Sequence, residues 1–266
     1  MRNNPMRIRV SLVAEKYPAS IPVNHHILAG FIYETISLVS PKLASFLHNE
    51  GLRPGFGDET DKSFKFFVFG VPELPNYYFS GEYKCFDKGL VYWQISSPVS
   101  DIIDSIVASL AIKNSVRIGR SLFSVTDIEF IPTPIFTQEM RFIALSPLTV
   151  STSWQDIDGK RVKYYLRANE EEFGELVVSN LLAKYYTLNG KELDDSQLHF
   201  EFDQDYIKSV GGFDSKKITR LISYGNTEIK SVLAPFIVRG NPELIWLGWE
   251  SGFGSSNSQG FGMAGI

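Results

Sequence analysis

From Met6 to Val13 apolar and polar positions alternate, Ile8, Val10 and Leu12 on one side and Arg7, Arg9 and Ser11 on the other. A period of two marks a half-buried strand with the first set inward. Tyr17-Pro-Ala-Ser-Ile-Pro22 breaks it, and Asn24 is placed to cap a helix whose apolar positions Leu28, Phe31, Ile32, Ile36 and Val39 recur at helical spacing. Ser40-Pro41 restarts the helix, with Leu43, Phe46 and Leu47 on one face, and Gly51 ends it. The composition of Leu52–Asp58 reads as a mobile loop. Two strand-like runs follow, Ser63–Phe69 and Leu90–Ser96. A helix opening at Ser100 carries Ile102, Ile103, Ile106, Val107 and Leu110, and strands return at Val116–Ile118 and Ser124–Ile131. The order β-α(α)-β-β-α-β is that of a split βαβ, ferredoxin-like unit.

Pro132-Thr-Pro134 reads as a boundary, dividing the chain into residues 1–134 and 135–266. The second part opens with a strand at Arg141–Leu145 and a polar hairpin from Ser151 to Tyr165, turning at Asp158-Gly159. Asn169 precedes a helix with Phe173, Leu176, Val177, Asn180, Leu181 and Tyr185. Strand-like runs recur at Leu198–Phe202, Leu221–Ser223, Val232–Val238 and Leu244–Trp249. One clear helix is visible where a complete unit has two. The expected fold is therefore α+β, two tandem ferredoxin-like domains, the second degenerate and ending in a glycine-rich loop.

Composition narrows the classes. Apolar residues make up 44% and charged residues 21% of 266, which excludes a disordered or fibrous chain. A single cysteine, Cys85, excludes an intramolecular disulfide and a Cys-rich zinc module and fits a cytoplasmic protein. No apolar run is long enough to span a membrane, and the start lacks the apolar run of a secretion signal. The net charge of −4 places any nucleic-acid contact on local patches. Between Ile207 and Arg239, six cations (Lys208, Lys216, Lys217, Arg220, Lys230, Arg239) meet two carboxylates, and Lys160, Arg161, Lys163 and Arg167 cluster by the hairpin, where Tyr164 and Tyr165 could stack on bases.

The C-terminus carries Gly252-Phe-Gly254, five polar-rich residues, and Gly260-Phe-Gly262. Glycines of this kind permit positive φ and close approach of backbone donors to anions. A dinucleotide fingerprint would need a helix after it, and a Walker loop a Gly-Lys-Ser/Thr, and neither is present. This ending resembles the glycine-rich loop of the RAMP superfamily, and more closely that of the CRISPR-associated endoribonucleases that cut precursor guide RNA within its repeats. Ile8–Glu15, Ile21–His25, Gly30–Tyr33, Pro41–His48 and Phe142–Pro147 resemble further stretches of that family, spread over nearly all of the chain. The resemblance implies two ferredoxin-like domains around an RNA cleft, no cofactor, and CRISPR repeat or precursor guide RNA as partner. Effector-complex subunits and a second copy of the chain stand as further partners, and no membrane is implied. Its alternative is a non-catalytic RAMP subunit that binds the same RNA.

The four histidines show no metal-ligand spacing. The chemistry implied is attack by the substrate's own 2′-hydroxyl on the adjacent phosphate, leaving a 2′,3′-cyclic phosphate and a 5′-hydroxyl. It requires a base, an acid and a cation. His48, at the end of the second helix, matches the family's catalytic histidine, and imidazole moves protons near neutrality. Tyr33 matches its tyrosine, although a phenol is a weak base unless a cation lowers its pKa. Lys62 fits as the cation if the preceding loop is an insertion; Arg53 fits without one. His25 and His26 are alternative acid/base or phosphate contacts, and His199 reads as a strand residue. Lys216, Lys217, Arg220, Lys230 and Arg239, with Gly252, Gly254, Gly260 and Gly262, are the expected RNA contacts.

Overall fold

A computed structural model describes residues 6–54, 63–159 and 161–266, so Lys62 and Lys160 lie outside the described residues. The first unit runs β1 (Arg7–Ala14), β2 (Ala19–Pro22), α1 (His25–Val39), α2 (Pro41–Asn49), β3 (Val68–Phe69), β4 (Tyr78–Ser80), β5 (Tyr83–Phe86), β6 (Leu90–Ser96), α3 (Ser100–Ile112), β7 (Ser115–Ile118) and β8 (Ser121–Ile131). Its main sheet has the order β3-β6-β1-β8-β7, all neighbours antiparallel. Thus β1-α1-β3 and β6-α3-β8 interlock as the two halves of a ferredoxin-like unit. Ile8, Val10 and Leu12 enter one core with Ile32 and Ile36 of α1 and Ile102, Ile103 and Ile106 of α3. Asn24 caps α1, its side chain accepting from the His26 N–H, and Pro41 opens α2.

The second unit runs β9 (Glu139–Ala144), β10 (Ser151–Gln155), β11 (Arg161–Tyr165), α4 (Glu172–Asn189), β12 (Leu198–Phe202), α5 (Gln204–Ser209), β13 (Thr219–Tyr224), β14 (Thr227–Val232), β15 (Phe236–Gly240), α6 (Pro242–Ser251) and β16 (Ala264–Gly265). The sheet order β12-β15-β9-β16 repeats the same antiparallel plan, with β9-α4-β12 and β15-α6-β16 as its halves. A second core gathers around Phe142, Phe173, Phe200, Phe236 and Phe253. The hairpins β10–β11 and β13–β14 are separate two-stranded sheets.

Three sequence readings are corrected. Leu244–Trp249 is the second helix and not a strand. Asn241 caps it through its side chain and Pro242 takes the first position. Leu244, Ile245, Leu247 and Trp249 are all buried, so the run lacks the polar face that identifies a helix. What is reduced in the second unit is its last strand, β16, with two residues. Helix α4 begins at Glu172, and neither Asn169 nor any other side chain caps it. Arg7 does not face water. It is buried, lies 3.7 Å over the Trp249 ring, and donates to the Trp249 and Ala264 carbonyls. The C-terminal tail covers this end of β1. Glu250 is also buried and accepts from Ser96 at 2.5 Å. Burial pushes the Arg7 guanidinium down and the Glu250 carboxyl up, and each charge partly opposes the shift of the other.

Candidate active site

The glycine-rich loop joins the units. After α6, Gly252, Gly254, Gly260 and Gly262 take φ of +85°, +73°, +86° and +79°, a region that L side chains avoid. All four are buried. A Cβ on Gly262 would lie 1.9 Å from the Phe253 carbonyl oxygen, and one on Gly254 2.7 Å from that of Thr149. The phenylalanines plug two places: Phe253 packs on Phe142 and Phe236 (centroids 5.2 and 5.0 Å), and Phe261 on His25 of α1 (5.2 Å). The glycines therefore shape the loop from inside, and its outward part is the insert Ser255–Ser258. That insert lines a cleft of about 530 Å³ whose other walls are Ser63–Phe67, Ser151–Ser153, Lys163, Asn180 and Lys184.

Two side chains hold the insert. His25 contacts the Gln259 carbonyl through Nδ1 at 3.2 Å, so Nδ1 carries the proton in that bond. Burial lowers its pKa to about 4, against the carbonyl's pull and helped by Lys84. His25 is thus neutral at pH 7, its ring buried beside Phe69 and Phe261. Lys184 of α4 is buried and donates to Gly252 O at 2.7 Å, Asn257 Oδ1 at 2.6 Å and Ser251 O at 3.5 Å. The Asn257 amide in turn donates to the carbonyls of Phe253 (3.2 Å) and Phe261 (2.9 Å).

At one end of the cleft three predicted and unpredicted residues meet. The Tyr33 ring lies edge-on to His48, centroids 5.3 Å apart, and equally to Phe67. Burial pushes the pKa of the Tyr33 hydroxyl up to about 12, against the lowering influence of the Ser258 side chain of the insert. No cation is among the groups that shift it, and a phenol so raised keeps its proton near neutrality. His48 is exposed at the end of α2, and its Nδ1 meets Asn49 Oδ1 at 3.0 Å. Since that oxygen can only accept, Nδ1 donates and Nε2 keeps its lone pair. Asn49 is held in turn by Ser45 at 3.2 Å.

Lys65 reaches this pair, its Nζ donating to the His48 carbonyl at 3.2 Å. The sequence reading named Lys62 of the same Lys62-Ser-Phe-Lys65 run, which lies outside the described residues, and passed over Lys65. Partial burial and then the charge of Arg53 push the Lys65 ammonium down, while Glu50 raises it. Arg53 is thus close by, and exposed. Phe66 beside them holds φ +52°, an uncommon backbone for a bulky residue.

The other candidate residues lie elsewhere. His26 is exposed and packs its ring on Tyr224 at 5.1 Å, where the turn of β13–β14 docks on α1 through Asn24 and Gly225. Lys216 and Lys217 are exposed, and Arg220 folds back on the Lys216 and Thr219 carbonyls. Lys230 borders a separate small cavity with Arg167. Arg239 is no free cation: it pairs with Glu139 at 2.5 Å and with Glu201. His199 lies on β12, 4.0 Å from Glu201. Lys184 was missed, but the signal was present, a lysine three residues after Leu181 on the apolar stripe of α4. Among the described residues no three His, Cys, Asp or Glu side chains group to hold a metal, and no helix is long and apolar enough to cross a membrane.

Comparison with known proteins matches residues 20–129 to the family described as CRISPR-associated protein Cas6, N-terminal, and residues 131–266 to CRISPR associated protein Cas6, C-terminal. The chain is 30% identical over 259 residues to CRISPR-associated endoribonuclease Cas6 1 of Methanocaldococcus jannaschii, covering 97% of this chain and 91% of that protein. It is 28% identical over 267 residues to CRISPR-associated endoribonuclease Cas6 of Pyrococcus furiosus, covering 97% and 89%. A solved structure described as CRISPR associated protein Cas6 superposes with a TM-score of 0.74 at 29% identity, covering 98% of each chain.

Proposed function

Because the chain belongs to the Cas6 family, we propose that it is an endoribonuclease that binds CRISPR repeat RNA in the cleft between its two units and cuts the precursor transcript into guide RNAs. The observation that carries this reading is the meeting of Tyr33, His48 and Lys65 beside the insert of the glycine-rich loop. A base, a hydroxyl donor and a cation at the rim of an RNA-sized cleft are what transesterification by the 2′-hydroxyl needs. His48 Nε2 takes the proton of the 2′-hydroxyl. The O2′–P bond forms as the P–O5′ bond breaks, Tyr33 donates a proton to the departing 5′-oxygen, and solvent restores both residues. Lys65, with Arg53 nearby, faces the charge that builds on the phosphate. The products are a 2′,3′-cyclic phosphate and a 5′-hydroxyl, and no metal takes part.

The test is incubation of the protein with repeat RNA in EDTA, with mapping of the product ends, beside a substrate carrying deoxyribose immediately 5′ of the scissile phosphate. Cleavage of the first to cyclic-phosphate ends and binding without cleavage of the second are expected. Cleavage of the deoxy substrate overturns the mechanism, and binding without any cleavage makes the chain a non-catalytic repeat-RNA subunit.

A further inference from the structure

We infer that Lys184 is a positioning residue for RNA cleavage: from the second unit it sets the seat of the Ser255–Ser258 insert and, through Ser258, the orientation of Tyr33 in the first. This rests on the endoribonuclease reading above. A buried ammonium is costly unless its partners compensate, and a buried lysine usually finds a carboxylate. Lys184 has none among the described ion pairs. Its partners are two carbonyls at the C-terminal end of α6, where the helix dipole is negative, and the Asn257 side chain. Burial accordingly pushes it down to about 7.

A lysine buried at that cost is aimed at one thing, the loop. Asn257 cannot rotate away from Lys184 without breaking its two bonds to Phe253 and Phe261, the aromatic residues of both glycine triplets. Its neighbour Ser258 interacts with the Tyr33 hydroxyl, and the Tyr33 ring lies edge-on to His48. The relay therefore runs from α4 to the reacting groups, because Lys184, only 2% exposed at the wall of the cleft, spends its N–H donors on the loop. An error of about 1 Å in a reacting group costs up to ~10²-fold in rate.

The test is single-turnover cleavage of repeat RNA by Lys184→Met, which keeps the apolar stem and removes the ammonium, alongside Tyr33→Phe and the double variant. Lys184→Met is expected to cut ~10- to 10²-fold more slowly, with RNA affinity within about threefold and the unfolding midpoint unchanged or raised. In the Tyr33→Phe background the same substitution should add little, because the link it acts through is already cut. Lys184→Gln, which retains an N–H donor, should fall between. Wild-type cleavage by Lys184→Met overturns the inference alone, as do fully multiplicative effects in the double variant or an affinity loss matching the rate loss. If neither Lys184 variant folds, the ammonium holds the fold rather than the site and the inference fails. A wild-type chain that binds repeat RNA without cutting it removes the endoribonuclease reading first, and this one with it.

Discussion

At the scale of single residues the site separates groups that share a chemistry. Three of the histidines stand near the glycine-rich loop or the helix that meets it, yet their surroundings give them different work. His25 is enclosed by Phe69 and Phe261, is held neutral, and gives its one N–H to the loop. His26 is exposed but spends its ring on Tyr224. Only His48 combines exposure, an Nδ1 already committed to Asn49, and contact with a tyrosine. Acid/base catalysis by one placed side chain is typically worth ~10²–10⁴-fold. His48→Ala should slow single-turnover cleavage by about that factor while filter binding shows RNA affinity nearly unchanged, since affinity rests on many phosphate contacts. His26→Ala should retain wild-type cleavage. A His48→Ala rate within about threefold of wild type would assign the proton transfer to another group.

At the scale of elements, the glycine-rich loop divides its labour between buried hinges and an outward insert. Gly262→Ala would force a Cβ to 1.9 Å from the Phe253 oxygen at φ +79°. Backbone strain of ~1–2 kcal/mol and the overlap add, so chemical denaturation should record a loss above ~2 kcal/mol. Gly190→Ala, at φ +68° with open space around its Cβ position, is the control and should lose only about 1 kcal/mol. Equal losses would mean that the triplets are ordinary turns. The sequence made the hairpin turning at Asp158-Gly159 and the first unit's ferredoxin-like order readable, because turn chemistry and periodicity are local, whereas the β2-β5-β4 sheet and the β13–β14 hairpin went unread. It misassigned α6 and the outward face of β1 for one reason. Leu244–Trp249 and Arg7 are each covered by a segment far away in the chain, so the pattern that normally reports a wet face is missing. Lys65 is a different case: it stands in the same run as Lys62, which lies outside the described residues, and only the folded backbone past Phe66 shows Lys65 reaching the His48 carbonyl.

For the whole molecule, a net charge of −4 requires that RNA be attracted by where cations sit and by which of them are unspent. Lys65 and Lys163 line the cleft, and Lys163 is exposed above the Tyr165 ring. Arg239 belongs to the same sequence cluster as Lys216 and Lys217, but its guanidinium bridges Glu139 of β9 and Glu201 of β12 across β15. A cation whose charge is matched twice releases no counterions from RNA, however basic its neighbourhood looks in the sequence. For single-stranded RNA each phosphate contact contributes about 0.7 to the slope of log affinity against log salt. Lys163→Ala should therefore weaken binding and flatten that slope by about 0.7 between about 50 and about 200 mM salt. Arg239→Ala should leave the slope in place, with affinity unchanged or slightly weakened by the two carboxylates it leaves unpaired. Filter binding of repeat RNA by both variants over that range decides it. If Arg239→Ala flattens the slope as much as Lys163→Ala does, RNA reaches the sheet of the second unit and displaces the Glu139 and Glu201 pairs. The footprint would then extend well beyond the cleft.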